Sequence, residues 1–244
     1  MIKNVILLST VALLALGSTQ ADARERERSG SWSNGKGGSG NATQNIKRER
    51  GSVERQTKWQ NPRGEGSSDY RRDYNKDVGT MNSRRVTTNA QGQTATTNST
   101  GARTETGYNK SSERTGFNGK TAHSNSDYTK TDNGYDVNRT VTTESGKTMT
   151  SNGSVTKTDD GYNKTGSYTT GSGNTGTYYK DAQKTENGRT VNSGLTNQNG
   201  KTITENKVME HKDGAWSRDT TQTGPNGQIR TKSLDGSYTR KSNP

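Results

Sequence analysis

The chain has 244 residues, with 36 lysines and arginines against 24 aspartates and glutamates, and only 21% of it is hydrophobic. A formal net charge of +12 favours acidic partners such as nucleic acid, anionic polysaccharide or a lipid headgroup surface. The absence of cysteine excludes disulfide staples, a lipid-modified N-terminal cysteine, a thiol nucleophile and any thiolate metal site.

Lys3 precedes an apolar stretch from Val5 to Gly17 and a small-residue site Ala21-Asp22-Ala23, so residues 1–23 read as a secretory signal cleaved before Arg24. The mature protein is therefore expected in the periplasm, at the cell surface or outside the cell. Ser9 and Thr10 interrupt the apolar stretch, which is short for a membrane span, and no later segment is apolar enough to cross a bilayer.

Residues 24–63 open on Arg24-Glu25-Arg26-Glu27-Arg28 and continue through Gly, Ser and Asn, with Trp32 and Trp59 isolated in polar sequence. This composition predicts a disordered, flexible, basic leader. Residues 24–91 carry 15 basic and 8 acidic groups, and residues 92–244 carry 20 and 15, so the charge excess is densest at the front. In residues 64–91, Val86-Thr87-Thr88 precedes Gly92 much as Val141-Thr142-Thr143 precedes Gly146, which marks a degenerate first repeat of the capping kind.

From residue 92 onward the chain is a tandem repeat. Gly92, Gly119, Gly146, Gly173, Gly200 and Gly227 recur every 27 residues, and Gly107, Gly134, Gly161 and Gly188 form a second series at the same interval. Leu, Ile, Val and Phe total only 10 of the 153 residues from Gly92 on, a composition of disordered chains unless the repeat supplies the order.

With each unit numbered from its first glycine, position 16 is the second glycine. Asn133, Asp160 and Asn187 precede it, a strong hairpin signal. A two-residue loop at positions 15 and 16 pairs position 14 with 17 and position 12 with 19. Unit five is a residue shorter there, with its loop at Asp213-Gly214. At the unit boundary, Glu144-Ser145-Gly146 fits a three-residue loop ending in a left-handed glycine, which pairs position 23 with position 4 of the next unit.

These loops place positions 4, 10, 12, 14, 17, 19 and 23 on one face, because paired residues share a face and neighbours alternate. That face collects Met149, Ile203, Val155, Met209, Val141 and Leu195, with Val141 opposite Met149 and Leu195 opposite Ile203. The other face receives Thr104, Thr131, Thr158, Thr185, Thr148 and Thr202, as suits a solvated β surface. The expected fold is all-β, a repetitive antiparallel meander of two strands per repeat and some ten to twelve strands. A β-solenoid with one coil per repeat is the alternative.

Position 12 supplies Arg103, Lys130, Lys157, Lys184 and His211, and position 19 adds Lys110, Lys164 and Arg218. Position 14 is acidic (Glu105, Asp132, Asp159, Glu186, Asp213), and position 17 supplies Tyr108, Tyr135, Tyr162 and Trp216. The functional reading is a stripe that holds an extended anionic polysaccharide or nucleic acid, cations on its charges and rings stacked on its sugars or bases. The alternative reading makes the apolar columns the only core, with basic stems lying over it and acids neutralising them.

No catalytic constellation stands out: His123 and His211 are far apart, with no recurring serine or carboxylate arrangement beside them, so no enzyme and no cofactor is expected. Asp132-Asn133-Gly134 and Asp159-Asp160-Gly161 read as turns rather than metal loops. Lys130, Asp132, Lys157 and Asp159 interrupt the more apolar face, which argues against a lipid-facing barrel.

The spacing of Thr131-Asp132-Asn133-Gly134-Tyr135 and Gly146-Lys147-Thr148 resembles the tyrosine-aspartate repeats of bacterial secreted shell and toxin proteins, over the repeat region only, with a longer period and without the Tyr-Asp pair. Exported Gly/Asn/Thr repeats also resemble curli-type matrix fibres. These resemblances imply an extracellular structural role, and no residue role is taken from them. The expected function is that of an exported envelope or extracellular protein with a structural or adhesive role. The alternatives are a self-associating matrix-fibre subunit, a chain disordered until it meets its partner, and a cargo- or toxin-associated fragment.

Overall fold

The computed structural model describes residues 24–33 and 39–239; the secretory signal read at residues 1–23 lies outside them. Among the described residues every regular element is a strand. The first five are β1 (Arg24–Ser33), β2 (Ser39–Glu49), β3 (Ser52–Asn61), β4 (Gly64–Asn75) and β5 (Thr80–Thr88). The repeats supply β6 (Thr94–Arg103), β7 (Gly107–Thr115), β8 (Thr121–Thr131), β9 (Gly134–Thr143), β10 (Thr148–Thr158), β11 (Gly161–Thr169) and β12 (Thr175–Thr185). They continue with β13 (Gly188–Asn197), β14 (Thr202–Lys212), β15 (Ala215–Thr223) and β16 (Ile229–Thr239).

Each strand pairs antiparallel with its sequence neighbours, and β1 pairs with β16, so the meander closes into a barrel. An open sheet of ten to twelve strands and a solenoid are both replaced by a ring of sixteen. The extra strands come from residues expected to form an unstructured leader: segments of residues 24–63 are laid down as β1, β2 and β3. Residues 64–91, read as a degenerate first repeat, supply β4 and β5.

The unit-boundary loops form as expected. Gly146 has φ +77°, its N–H donates to the Thr143 carbonyl at 2.9 Å, and the Thr143 N–H donates to the Lys147 carbonyl at 2.9 Å. Nothing lies within 4 Å of where a Cβ on Gly146 would stand, so glycine is there for its left-handed backbone alone. Val141 faces Met149 and Leu195 faces Ile203, as the loop length requires.

The two-residue loops differ from expectation. Thr131 pairs with Gly134 and Thr158 with Gly161, so the loops are Asp132-Asn133 and Asp159-Asp160, one position earlier than read. Gly134 has no left-handed φ. It is needed because any side chain there would collide with the carbonyl of Val155 on β10. That close approach is held by the loop itself: the Lys157 N–H donates to the Asn133 carbonyl at 2.8 Å, and Lys130, Lys184 and His211 repeat the bond to Thr106, Asp160 and Asn187. Unit five, whose loop is Asp213-Gly214, does use left-handed backbone, with φ +49° and +79°.

Moving the loop by one position shifts the pairing by two residues, and a shift of two preserves the faces. Met149, Val155 and Tyr162 therefore still share a face. Only the partners change: position 12 lies opposite 17, and position 10 opposite 19.

That shared face is the inner one. The buried residues Ile46, Ala95, Val137, Val155, Ala182, Val191, Ser99 and Ser126 all belong to it, and side chains converge on the axis side of a closed sheet. Thr131, Thr148, Thr158 and Thr185 of the opposite face are exposed. Sixteen strands about 4.8 Å apart enclose a ring whose backbone diameter is roughly 25 Å or more, too wide for side chains to fill.

The two glycine series make a testable contrast. Gly146→Ala should cost about 1–2 kcal/mol, with much of it recovered by Gly146→Asn, since Asn tolerates the left-handed region. Gly134→Ala should cost about 1–3 kcal/mol or more, with Asn worse than Ala, because the obstacle is a neighbouring carbonyl. Urea midpoints at constant m-value would distinguish them.

Candidate functional site: the inner wall of the barrel

Alternation along each strand and continuity of the ladders bring all the sequence-selected basic and aromatic side chains to the inner face. Arg103 lies opposite Tyr108, Lys130 opposite Tyr135, Lys157 opposite Tyr162, and His211 opposite Trp216, so base and ring face one another across successive hairpins. Lys184 instead meets Arg189. Lys110, Lys164 and Arg218 sit one tier deeper, opposite Gly101, Val155 and Met209. The expected opposition of Arg103 to Lys110 and of Lys157 to Lys164 does not occur, because the shifted register sets a ring or a small residue across from each.

The acidic column is not on this face. Asp132, Asp159, Glu186 and Asp213 are turn residues between strands, and Glu105 lies in the connection between β6 and β7. Among the described strand residues of the inner face, Glu205 is the one carboxylate, and it is paired to Lys207. The other strand carboxylates face outward, where Lys47 pairs with Glu49 at 2.7 Å, Arg71 with Asp73 at 3.0 Å, and His123 with Glu113 at 3.6 Å. The Asp136 and Asp219 carboxylates accept outer-face hydroxyl bonds from Ser154 and Ser233 at 2.7 and 2.6 Å. A shallow outer depression lined by Arg71, Asp73, Arg84, Glu113 and His123 thus holds the Arg71–Asp73 ion pair and a Glu113–His123 contact.

The described strands are therefore sorted radially, nearly all acids outward and most bases inward. The first strand shows why: in Arg24-Glu25-Arg26-Glu27-Arg28, strict alternation turns the arginines to the lumen and the glutamates to the outside. The reading of this run as part of a flexible leader leaves out Arg24, Arg26, Arg28 and Arg48, which are wall residues. Also missed are Arg55, Arg85, Arg139, Lys180 and Lys207, which fall outside the singled-out columns of the repeat, and Arg189, the one non-aromatic residue of position 17. The period-two alternation was the signal that would have found the first group.

The inner cations crowd one another. Lys164 stands directly opposite Lys180, and burial first, then Lys180 and Arg139, pushes the Lys164 ammonium below its usual range. Burial, then Arg139 and Arg85, does the same to Lys110, and burial, then Arg85, to Arg55. The Nε atoms of Arg55, Arg189 and Arg218 are buried without a hydrogen-bonding partner.

Tyrosines partly relieve this. Lys164 Nζ lies 5.3 Å from the centre of Tyr178 and Lys180 Nζ 5.7 Å from that of Tyr162, each lysine leaning onto the other strand's ring. Arg85 and Arg55 share Tyr70 at 5.1 and 6.0 Å. Tyr108, Tyr128 and Tyr135 form a tilted cluster with centroids 6.2 and 5.7 Å apart. Burial, then Tyr128, raises the Tyr108 and Tyr135 hydroxyls above the usual range.

Several rings lie against glycines of the adjacent strand. A Cβ on Gly66 would stand 2.6 Å from Trp59, and one on Gly236 would stand 2.5 Å from Trp216. Tyr178 covers Gly166 and Tyr168 covers Gly176 in the same way. Glycine leaves the room that each ring occupies against the wall.

Comparison with family models, curated proteins and solved structures finds no match to this chain.

Removing one unneutralised cation should stabilise the free barrel. Lys164→Met is expected to raise the urea midpoint at pH 7. A lysine whose folded pKa is lowered holds fewer protons folded than unfolded, so the wild type gains stability as pH rises from the lowered value toward 10.5. The advantage of Lys164→Met should shrink over that window; an advantage independent of pH would mean that packing, not charge, produced it.

Proposed function

We propose that this is an exported structural or adhesive protein, acting without catalysis, whose barrel binds an anionic polymer, polysaccharide or nucleic acid, along its inner wall. The observation that carries this reading is the cationic lumen, in which Glu205 is the one opposing strand carboxylate among the described residues. A concave surface of one sign focuses its field, and a polyanion entering it releases condensed counterions, so affinity falls steeply with salt. Arg103, Lys130, Lys157, Lys184, Lys110, Lys164 and Arg218 meet the charges, while Tyr108, Tyr135, Tyr162 and Trp216 offer ring faces.

The structure lends less support to the alternatives. Pairing of β1 with β16 leaves the described sheet no free edge, so fibre growth by edge addition would first require the ring to open. Arg71 and Arg84 stand on the outer face at mid-strand, where each would cost about 2–4 kcal/mol at a bilayer midplane, which speaks against insertion. His123 and His211 project from opposite faces and share no catalytic arrangement. Export rests on the cleavable signal at residues 1–23.

Charge reversal at Lys130, Lys157 and Lys184 to Glu should abolish retention on heparin or DNA resin at moderate salt. In solution it should flatten the slope of log K against log salt by roughly 2 to 3. Reversal of the outward Lys58 and Arg84 should leave both nearly unchanged. Equal effects of the two sets, with β-sheet circular dichroism intact, would rule out the inner wall as the binding surface.

A further inference from the structure

We infer that the polymer is a single, unpaired nucleic-acid strand and that it threads the lumen rather than lying on the outside. This rests on the polyanion reading above and makes it specific.

Three observations point to this ligand. First, ring atoms of Trp59, Trp216, Tyr168 and Tyr178 lie directly over Gly66, Gly236, Gly176 and Gly166 on the inner face, so the wall itself backs these aromatic groups. Flat, supported rings beside cations are the platform on which unstacked bases sit, and every base has a face to offer. A sulfated or uronic chain would meet the charges equally well, but its puckered rings offer C–H faces rather than the planar π faces that stack most strongly on aromatic platforms.

Second, the unsatisfied groups on this wall include guanidinium atoms, the Nε of Arg55, Arg189 and Arg218. Planar guanidinium forks match phosphate oxygens and stack on bases. Third, size and topology select against a duplex. A backbone diameter of roughly 25 Å, narrowed on all sides by Arg, Lys, Tyr and Trp, leaves room for one extended strand. A duplex also hides its base faces in its own stack. The described connections are tight hairpins of at most five residues, as at 89–93 and 116–120, so none of them reaches across a mouth of the barrel.

The test uses the mature chain with four probes of matched length: linear oligo(dT), oligo(U), a DNA duplex and polygalacturonate. A covalently circular single strand serves as a competitor. Linear single strands should bind at least tenfold tighter than the duplex and should quench tryptophan fluorescence, with oligo(dT) against oligo(U) distinguishing DNA from RNA. Trp59→Ala and Tyr178→Ala should each weaken single-strand binding about fivefold or more while leaving polygalacturonate binding unchanged. Trp59→Tyr should restore it, which separates loss of a platform from loss of the fold.

The circular strand, unable to pass through a closed ring, should fail to compete. Competition by the circle equal to that of its linear form, or duplex binding as tight as single-strand binding, overturns the inference and leaves the polyanion reading standing. The same holds if polygalacturonate binds and the oligonucleotides do not. Binding of none of the four probes overturns both.

Discussion

The ladder between β1 and β16 is the constraint on which the rest depends. Once those two strands pair, every strand of the described sheet has two neighbours and the sheet has an inside. Residues that alternate along a strand then become residues that alternate between lumen and exterior. A charge pattern that would be merely mixed on an open ribbon becomes segregated, because the ring gives its two faces different surroundings. The same closure deals with the edge strands that make long sheets prone to aggregate.

Closure also creates an electrostatic tension that the fold does not resolve by itself. The inner cations face one another across ladders, as Lys164 faces Lys180, and Glu205, paired to Lys207, is the one inner-face strand carboxylate among the described residues. Tyrosine faces absorb part of the charge, and water in a wide lumen screens more. What remains is self-repulsion, which lowers the stability of the free barrel and would be relieved by any anion that enters. Anything binding only the folded form stabilises it, so ligand affinity and barrel stability should be coupled through these same side chains.

Much of the local geometry was legible in the chain. Gly146 and its equivalents announced a left-handed loop end, and the resulting pairs Val141 with Met149 and Leu195 with Ile203 followed from counting residues. The faces were legible because alternation survives a slip of two. The slip itself arose because Gly134 looked like the second residue of a turn, whereas its role is to let the Val155 carbonyl approach, a contact with a later strand that no local pattern discloses. Asp132 and Asp159 then moved from the face into the turns, which removed the neutralising column and left the wall cationic. In β1, Arg24 to Arg28 has the period of a strand, but a charged segment without apolar residues gives no reason to expect burial until a ring supplies an inside for it.

The amino-acid order alone determined the repeat length, the antiparallel hairpins, the alternation of large and hydroxyl side chains, and the side on which Lys130, Lys157, Tyr135 and Tyr162 would lie. Those are consequences of backbone geometry over a few residues. Tertiary structure decided that the strands close, that the leader joins them, and that the shared side is concave. These depend on contacts between β1 and β16, at opposite ends of the described chain, and curvature and closure are properties of the whole sheet that no single repeat encodes.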